Sequence, residues 1–217
     1  MRKHSVRPLT TLIAGFGALL AVGFSAGAQA TPLATGDVLL GLGNDVTAIY
    51  LGSNAGDTDV VSLLGGATLF VNNGAGATAV GSTVDLGTYA VGQTITFTMD
   101  NLTTATSFTD GQGALNPDGD VHALVTYDLA ELLAMCNGSG CLSSDSIALA
   151  NSLGPDTTFI GFEDLSAPQG SDFDYNDIVF AVQGAEDPAV PTPSSLALLV
   201  PALLGFFLLR RRSTPLV

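Results

Sequence analysis

A dense group of carboxylates lies in the stretch 161–180, GFEDLSAPQGSDFDYNDIVF. Neighbouring carboxylates repel one another and raise one another's pKa unless a cation lies between them. No Lys or Arg lies in this stretch. Ca²⁺ takes about six to eight oxygen ligands and favours flexible loops rich in such oxygens. We therefore predict a Ca²⁺ site here, with oxygen ligands from Glu163, Asp164, Asp172, Asp174, Asn176 and Asp177, and with Ser171 as a further oxygen donor.

A second acidic group precedes the strand-like run 121–127. Asn116, Asp118 and Asp120 alternate through the turn sequence NPDGD. Oxygens at every second position of a loop converge on one ion in the first half of an EF-hand. The rest of an EF-hand is missing, because neither this group nor Asp172–Asp174–Asn176 is followed by the Gly and the acidic residue that the motif requires. We predict that Asp118 and Asp120 complete the first Ca²⁺ site or form a second one.

Three other polar residues receive a structural interpretation. His122 has no set of N or S partners for a zinc site apart from the two cysteines, so we expect it to pack or to hydrogen-bond a neighbouring carboxylate. Asp57 and Asp59 form a small acidic pair, which we predict to lie in a solvated turn.

The charge distribution restricts the possible partners. The net charge is −14, every Lys and Arg lies near one end of the chain, and all twenty carboxylates lie between Asp37 and Asp187. Salt bridges between these carboxylates and Lys or Arg are therefore excluded from the middle of the chain, and its self-repulsion disfavours a compact state. We therefore expect neither nucleic acids nor anionic lipid surfaces as partners of such a body. Bound metal ions would supply the missing positive charge.

The hydrophobic pattern predicts an all-β fold. Short apolar runs alternate with Gly, Asn, Asp and Ser, and 94–99 (TITFTM) has the period of a half-buried strand. The predicted strand regions are 37–42, 46–51, 60–64, 67–71, 82–91, 93–99 and 121–127, and the one predicted helical turn is 128–135. We expect a single jelly-roll-like β-sandwich over residues 31–184.

Two further runs place the acidic stretch in this fold. Residues 157–162 and 178–182 are apolar at successive positions, as in central strands that are buried on both faces. The acidic loop joins these two strands. Its carboxylates should therefore be anchored at both ends by buried β-structure, which would preorganise a metal site.

The N-terminal residues 1–30 read as a secretory signal peptide. Arg2, Lys3 and Arg7 precede an apolar run at 12–24, and Ala28 and Ala30 form an Ala-x-Ala cleavage site. The alternative is a retained N-terminal anchor. In an exported protein two cysteines tend to be oxidised, so we predict a disulfide between Cys136 and Cys141.

The C-terminal part has the composition of a membrane anchor. Residues 185–193 form a linker, 194–212 an apolar helix that ends in Arg210, Arg211 and Arg212, and 213–217 a short tail. The arginines mark the cytoplasmic side of a membrane-spanning segment. We predict a short transmembrane helix in the inner membrane, with the body of the protein exported.

These last residues resemble the PEP-CTERM sorting signal of Gram-negative bacteria that make exopolysaccharide. That signal combines a Pro-Glu-Pro box, a short Leu- and Gly-rich helix and a terminal Arg cluster. Here the box is Pro191, Thr192 and Pro193, with Thr192 in place of the usual Glu. The resemblance implies recognition by exosortase, removal of the tail near the box, and a membrane-anchored precursor that reaches the cell surface or the medium.

The body also resembles an uncharacterised β-rich domain that is common in such proteins. The matching motifs are Asp-Gly…His at 118–122, Gly-Phe-Glu-Asp-Leu at 161–165 and SDFDYNDIVF at 171–180. This resemblance implies no established activity.

Three functions are compatible with these features. The first is a non-enzymatic cell-surface or matrix protein that folds around Ca²⁺ and associates with exopolysaccharide or biofilm. The second is a Ca²⁺-dependent carbohydrate-binding, lectin-like module, although the chain has no Trp and few aromatic residues to stack on sugars. A more distant third is a glycoside hydrolase that uses Glu163 or Asp164 with a second carboxylate.

Overall fold

Three antiparallel β-sheets make up most of the described chain. The computed structural model describes residues 38–135 and 142–186. The strands are β1 (Leu39–Gly41), β2 (Asp45–Gly52), β3 (Asp59–Leu63), β4 (Thr68–Val71), β5 (Thr83–Thr88), β6 (Thr94–Ile95), β7 (Phe97–Asn101), β8 (Thr106–Thr109), β9 (Ala123–Thr126), β10 (Thr157–Phe162), β11 (Ile178–Gln183) and β12 (Ala185–Glu186). The helices are α1 (Leu129–Met135) and α2 (Ser144–Ser152), with single 3₁₀ turns at Gly113–Leu115 and Ala167–Gln169.

The strand order places the acidic loop between two inner strands. The five-stranded sheet has the order β5-β2-β11-β10-β9, the four-stranded sheet β4-β3-β7-β8 and the three-stranded sheet β12-β1-β6. All six residues of β10 and the first five of β11 are buried. The prediction that these runs form central strands covered on both faces is confirmed.

A shared core joins the five-stranded and four-stranded sheets. Phe70 and Phe97 come from the four-stranded sheet and pack against Phe180 of β11, with ring centroids 5.6 Å and 5.1 Å away. Phe108 and Phe162 are also fully buried in this core. Burial of each such side chain contributes about 1.5–3 kcal/mol. The two sheets therefore hold each other through aromatic side chains, and polar residues at their edges are brought close together.

The helices cover the other face of the five-stranded sheet. Leu132 of α1 and Ala150 of α2 pack in a second cluster with Leu51, Leu124 and Val179. Asp128 caps the start of α1, because its Oδ1 accepts a hydrogen bond of 2.8 Å from the N–H of Ala130. This layer explains why the inner strands are apolar at successive positions.

The structure adds elements that the sequence pattern did not indicate. Strand β8 and helix α2 were not predicted. Ala185 and Glu186, assigned to the linker from their composition, form β12, and β12 pairs with β1. Neither helix within residues 38–135 and 142–186 is long and apolar enough to cross a membrane.

Several predictions concern residues outside the described ranges. They are the signal peptide with Ala28 and Ala30, the disulfide between Cys136 and Cys141, and the C-terminal helix with its sorting box (Pro191, Thr192, Pro193) and its arginines (Arg210, Arg211, Arg212).

Candidate metal centre

The ends of β10 and β11 position the first acidic residues. Phe162 pairs with Ile178 at the end of the ladder, and the N–H of Asp177 donates to the carbonyl of Phe162 at 3.1 Å. The N–H of Glu163 donates to the carbonyl of His122 at 2.9 Å. Asp177 in turn accepts a hydrogen bond of 2.8 Å from the N–H of Asp164 through its Oδ2. The backbone of the site is therefore fixed by strand pairing.

Two groups of carboxylates meet at Glu163. Oxygens of Glu163, Asp164 and Asp177 lie within 4.8 Å of one another and form what we call the inner group. Oxygens of Glu163, Asp172 and Asp174 also lie within 4.8 Å of one another and form the outer group. Ca²⁺ binds oxygens at about 2.3–2.6 Å, so one ion can contact oxygens that are this far apart. The structure thus brings together the five acidic residues that the sequence singled out in this stretch.

The two groups differ in their exposure to solvent. Glu163 is 2% exposed and Asp164 is 4% exposed, whereas Asp172 lies on the surface. Asp174 is 9% exposed, and Asn176 holds it in place by donating from its backbone N–H and from Nδ2. Asn176 therefore orients a carboxylate of the outer group.

The outer loop adopts an unusual backbone conformation. Phe173 and Tyr175 have positive φ angles of 52° and 54°. Bulky residues in this left-handed region cost about 1–3 kcal/mol each. The carbonyl of Tyr175 lies directly over Gly161, where an added Cβ would be 2.2 Å from the carbonyl oxygen. The loop is therefore pressed onto β10, and only glycine at position 161 permits this approach.

Asp59 belongs to the site and was misinterpreted from the sequence. Its exposure is 0%, so the predicted solvated turn is wrong for this residue, which begins β3. Asn72 donates from Nδ2 to Asp59 Oδ2 at 2.5 Å and accepts the N–H of Asp59 at 2.7 Å. The same Nδ2 also donates to the carbonyl of Asp177 at 3.3 Å, so one amide group contacts both Asp59 and the acidic loop. A carboxylate of the four-stranded sheet thus lies beside the loop that carries the inner group.

Two asparagines connect the four-stranded sheet to the acidic loop. Asn101 donates from Nδ2 to Asp57 Oδ2 at 2.9 Å and to the carbonyl of Asp164 at 3.1 Å. Asn72 donates to the carbonyl of Asp177 at 3.3 Å. No sequence signal identifies these partners, since Asn72 and Asp177 are separated by 105 positions.

Burial and mutual repulsion disfavour the charged forms of these acids. Burial, followed by repulsion from Asp164, raises the pKa of Asp59 and of Asp177. Burial, followed by repulsion from Asp57, raises the pKa of Asp164. Burial also raises the pKa of Glu163 and of Asp174, and Asp172 adds repulsion in both cases. A bound divalent cation would reverse this effect by stabilising the carboxylates.

Two buried oxygens in the cluster have no hydrogen-bond partner. They are Glu163 Oε2 and Asp59 Oδ1, and nothing in residues 38–135 or 142–186 donates to either of them. An unsatisfied buried polar atom costs about 1–3 kcal/mol. Unpartnered carboxylate oxygens near other carboxylates suit a metal ion.

Asp118 and Asp120 lie outside both groups. Asp118 Oδ2 is 2.9 Å from His122 Nε2, and Asp118 Oδ1 accepts the N–H of Asp120 at 3.1 Å. Burial alone would raise the pKa of Asp118, but these two interactions outweigh it and lower that pKa. Both oxygens of Asp118 are therefore already used, and neither residue joins the acids that approach Glu163.

His122 has the packing and hydrogen-bonding function predicted for it. Its ring stacks on Phe108 with centroids 3.7 Å apart, and its Nδ1 lies 3.1 Å from the carbonyl oxygen of Glu163. Its Nε2 also lies 2.9 Å from Asp118 Oδ2. The histidine thus connects the loop at 116–120 to the start of the acidic loop.

A family model matches part of the chain. Comparison with curated proteins and with solved structures gives no match. The family described as a domain of unknown function, DUF4114, matches residues 82–185. This segment contains both carboxylate groups but not Asp57, Asp59 or Asn72. The chain is therefore similar to DUF4114 over just under half of its length, including the acidic loop.

Proposed function

We propose that the chain is a non-enzymatic, exported cell-surface or extracellular-matrix protein that folds around Ca²⁺. The observation that carries the proposal is the inner group, in which oxygens of three carboxylates lie within 4.8 Å of one another. One of the three, Glu163, has a buried Oε2 atom without a hydrogen-bond partner among the described residues. The described residues contain no Lys or Arg that could neutralise it. The shared core between the two larger sheets supports a β-sandwich of the jelly-roll type as the scaffold.

The donor atoms favour Ca²⁺ over the other common metals. Both groups consist of carboxylate oxygens, without the N or S ligands that zinc prefers. Mg²⁺ demands near-ideal octahedral geometry and retains several waters, whereas Ca²⁺ accepts irregular sets of protein oxygens. The irregular loop at 172–177 suits the larger ion.

Export and sorting complete the proposal. Their support is the signal sequence at 1–30 and the C-terminal resemblance to exosortase substrates. In this proposal the mature chain begins near Thr31, the inner membrane holds the precursor through the C-terminal helix, and the processed protein associates with exopolysaccharide or biofilm. Intact-mass measurement of the surface-released protein tests it, and Arg210–Arg212 retained in that form would contradict it.

Thermal unfolding tests the Ca²⁺ site directly. We expect a higher Tm in millimolar Ca²⁺ than in EDTA, because a ligand at a hundred times its Kd stabilises the native state by about 2.7 kcal/mol. Mg²⁺ at the same concentration should give a smaller shift. Asp174→Asn should weaken binding while the β-fold persists at saturating Ca²⁺. Identical Tm values in all conditions, with no metal detected by calorimetry, would contradict the proposal.

A surface cleft favours a second candidate, the Ca²⁺-dependent carbohydrate-binding module. The cleft has a volume of about 440 Å³, and its lining includes the hydroxyl-bearing residues Tyr50, Ser53, Thr78, Ser143 and Ser146. Hydroxyl groups of this kind hydrogen-bond sugars. A glycan array with and without EDTA distinguishes this candidate, because a lectin would show Ca²⁺-dependent binding to defined glycans and a purely structural protein would not.

The geometry gives less support to a glycoside hydrolase. The two candidate acids, Glu163 and Asp164, are 2% and 4% exposed, and both lie within a packed carboxylate cluster. A hydrolase needs its acid and its second carboxylate on either side of an accessible sugar. The buried arrangement favours metal binding over glycoside cleavage.

A further inference from the structure

We propose that the acidic cluster, which consists of the inner group, the outer group and Asp59, holds two divalent cations that share Glu163. The inner cation joins the two larger sheets through Asp59. The outer cation exchanges with solvent. This inference rests on the proposed Ca²⁺ binding and assigns its stoichiometry and the role of each ion.

The inner cation would have ligands from both sheets. Glu163, Asp164 and Asp177 belong to the loop between β10 and β11, and their oxygens lie within 4.8 Å of one another. Asp59, at the start of β3, has a 0% exposed side chain, and Asn72 Nδ2 contacts both its Oδ2 at 2.5 Å and the carbonyl of Asp177 at 3.3 Å. Asp59 Oδ1 has no hydrogen-bond partner among the described residues. A cation between Asp59 and the inner group would bind carboxylates from β3 and from the loop between β10 and β11.

The outer cation would have ligands from the loop alone. Oxygens of Asp172, Asp174 and Glu163 lie within 4.8 Å of one another, and Asn176 donates a hydrogen bond to Asp174. Asp172 is exposed, so this group opens to solvent. No residue of the four-stranded sheet belongs to it. The outer ion should therefore order the loop without joining the sheets.

Glu163 can serve both ions because its carboxylate has two oxygens. The Oε2 atom has no hydrogen-bond partner in the described chain, and Glu163 is a member of both groups. Carboxylates that bridge two metals hold them about 3.5–4 Å apart. Charge also favours two ions, because the six acids named here would keep an excess of four negative charges around a single divalent ion.

Metal stoichiometry and two single-site variants test the proposal. The full chain, purified in detergent, is dialysed against Ca²⁺, and bound calcium is measured by atomic emission. We expect two Ca²⁺ per chain, and one per chain in Asp59→Asn and in Asp172→Asn. The matched control is Asp156→Asn, which removes an exposed carboxylate outside the cluster and should leave two.

Thermal unfolding then assigns a role to each ion. Asp59→Asn should lose most of the Ca²⁺-induced rise in Tm, whereas Asp172→Asn should retain most of it and release its remaining ion slowly. If Asp59→Asn does not fold, Asp172→Asn decides alone: one bound Ca²⁺ with the rise retained supports two sites.

Three outcomes overturn the proposal. They are one Ca²⁺ per wild-type chain, unchanged stoichiometry in Asp172→Asn, and equal loss of the Tm rise in both variants. In each of these cases the wild-type protein still binds calcium, so the proposed function survives. Absence of any bound calcium in the wild-type protein overturns the proposed Ca²⁺ function as well.

Discussion

Asp110 is a buried acid that takes no part in the carboxylate cluster. Its side chain is 0% exposed, and its Oδ1 accepts the N–H of Phe97 at 3.0 Å, while Oδ2 has no partner among the described residues. Burial raises its pKa to about 7, and the hydrogen bond from Phe97 limits the rise. Asp110 therefore binds a proton in the folded state at pH values where it is ionised in the unfolded chain.

Asp110 should therefore contribute to the pH dependence of the free energy of unfolding. Since the folded state holds more protons than the unfolded state between about pH 4 and pH 7, the contribution of Asp110 falls as pH rises through that window. We predict that Asp110→Asn is more stable than wild type at pH 8, by on the order of 1–3 kcal/mol, and that it shows a weaker pH dependence. Urea unfolding in saturating Ca²⁺ at pH 5 and pH 8 measures both effects.

An exposed acid provides the control for this comparison. Asp156→Asn removes a surface carboxylate and should unfold like wild type at both pH values. A destabilised Asp110→Asn protein at pH 8 would show that the negative charge of Asp110 is needed in the folded state.

Gly161 shapes the proposed metal site without contributing a ligand. A methyl group at this position would lie 2.2 Å from the carbonyl oxygen of Tyr175, so the loop that carries Asp174 would have to move. We predict that Gly161→Ala lowers Ca²⁺ affinity at least tenfold, although every carboxylate remains. Calorimetric titration measures the loss. Gly154→Ala is the matched control, because no atom lies within 4 Å of its added methyl group, and an equal loss in both variants would rule out this explanation.

At the scale of elements, the hydrophobic pattern predicted the long apolar strands better than the short or mixed elements. The buried runs of β10 and β11 were recognisable because both faces are apolar, and α1 because Asp128 precedes a Leu-rich turn. Strand β8 has one apolar residue, Phe108, among Thr and Ser, so its pattern is too short to identify. Helix α2 mixes Ser, Asp and Asn with a few apolar residues and has a similarly weak signal.

The same reasoning explains which part of the site was predictable. The acids between β10 and β11 are close in sequence, so their cluster was visible without a structure. Asp59 has the local sequence of a turn, and only its contacts with Asn72, which also contacts Asp177, show that it lies beside the acidic loop. Those contacts form only when the sheets pack, so the local sequence does not indicate them.

Asn101 is the residue through which strand β7 contacts the acidic loop. It is 1% exposed, donates to Asp57 and to the carbonyl of Asp164, and accepts the N–H groups of Thr103 and Thr104. We predict that Asn101→Ala destabilises the protein by about 2–4 kcal/mol, because several buried polar groups lose their partner. Chemical denaturation in saturating Ca²⁺ measures the change.

Asn151→Ala provides the comparison for this variant. Asn151 lies on the exposed side of α2 and makes one hydrogen bond within its own helix, so its replacement should change stability by less than about 0.5 kcal/mol. Similar losses in both variants would mean that Asn101 does not join the two elements.

At the scale of the whole molecule, the folding unit is larger than the segment that matches DUF4114. Strand β2 lies between β5 and β11 in the five-stranded sheet, and β3 and β4 supply half of the four-stranded sheet. All three strands precede residue 82, where the match begins. The matched segment alone would therefore lack an inner strand of one sheet and two strands of the other.

This topology predicts how truncated chains behave. A fragment of residues 82–186 should show no cooperative thermal transition, because both sheets would be incomplete and much of the shared core exposed. A fragment of residues 31–186 should unfold in one transition, with a Tm that rises in Ca²⁺. Circular dichroism and calorimetry of the two fragments make the comparison, and cooperative unfolding of the shorter one would disprove the larger unit.

The link between Asn72 and Asp177 spans 105 positions, and this separation has a kinetic consequence. Contacts between such distant segments form only after a large loop has closed, which costs chain entropy. The proposed cation site, which needs Asp59 beside the acidic loop, should therefore be absent from the folding transition state. Interactions of this kind slow unfolding and leave the folding rate almost unchanged. In stopped-flow experiments, Ca²⁺ should act almost entirely on the unfolding arm of the chevron, so the ion would protect the protein by lengthening the lifetime of its folded state.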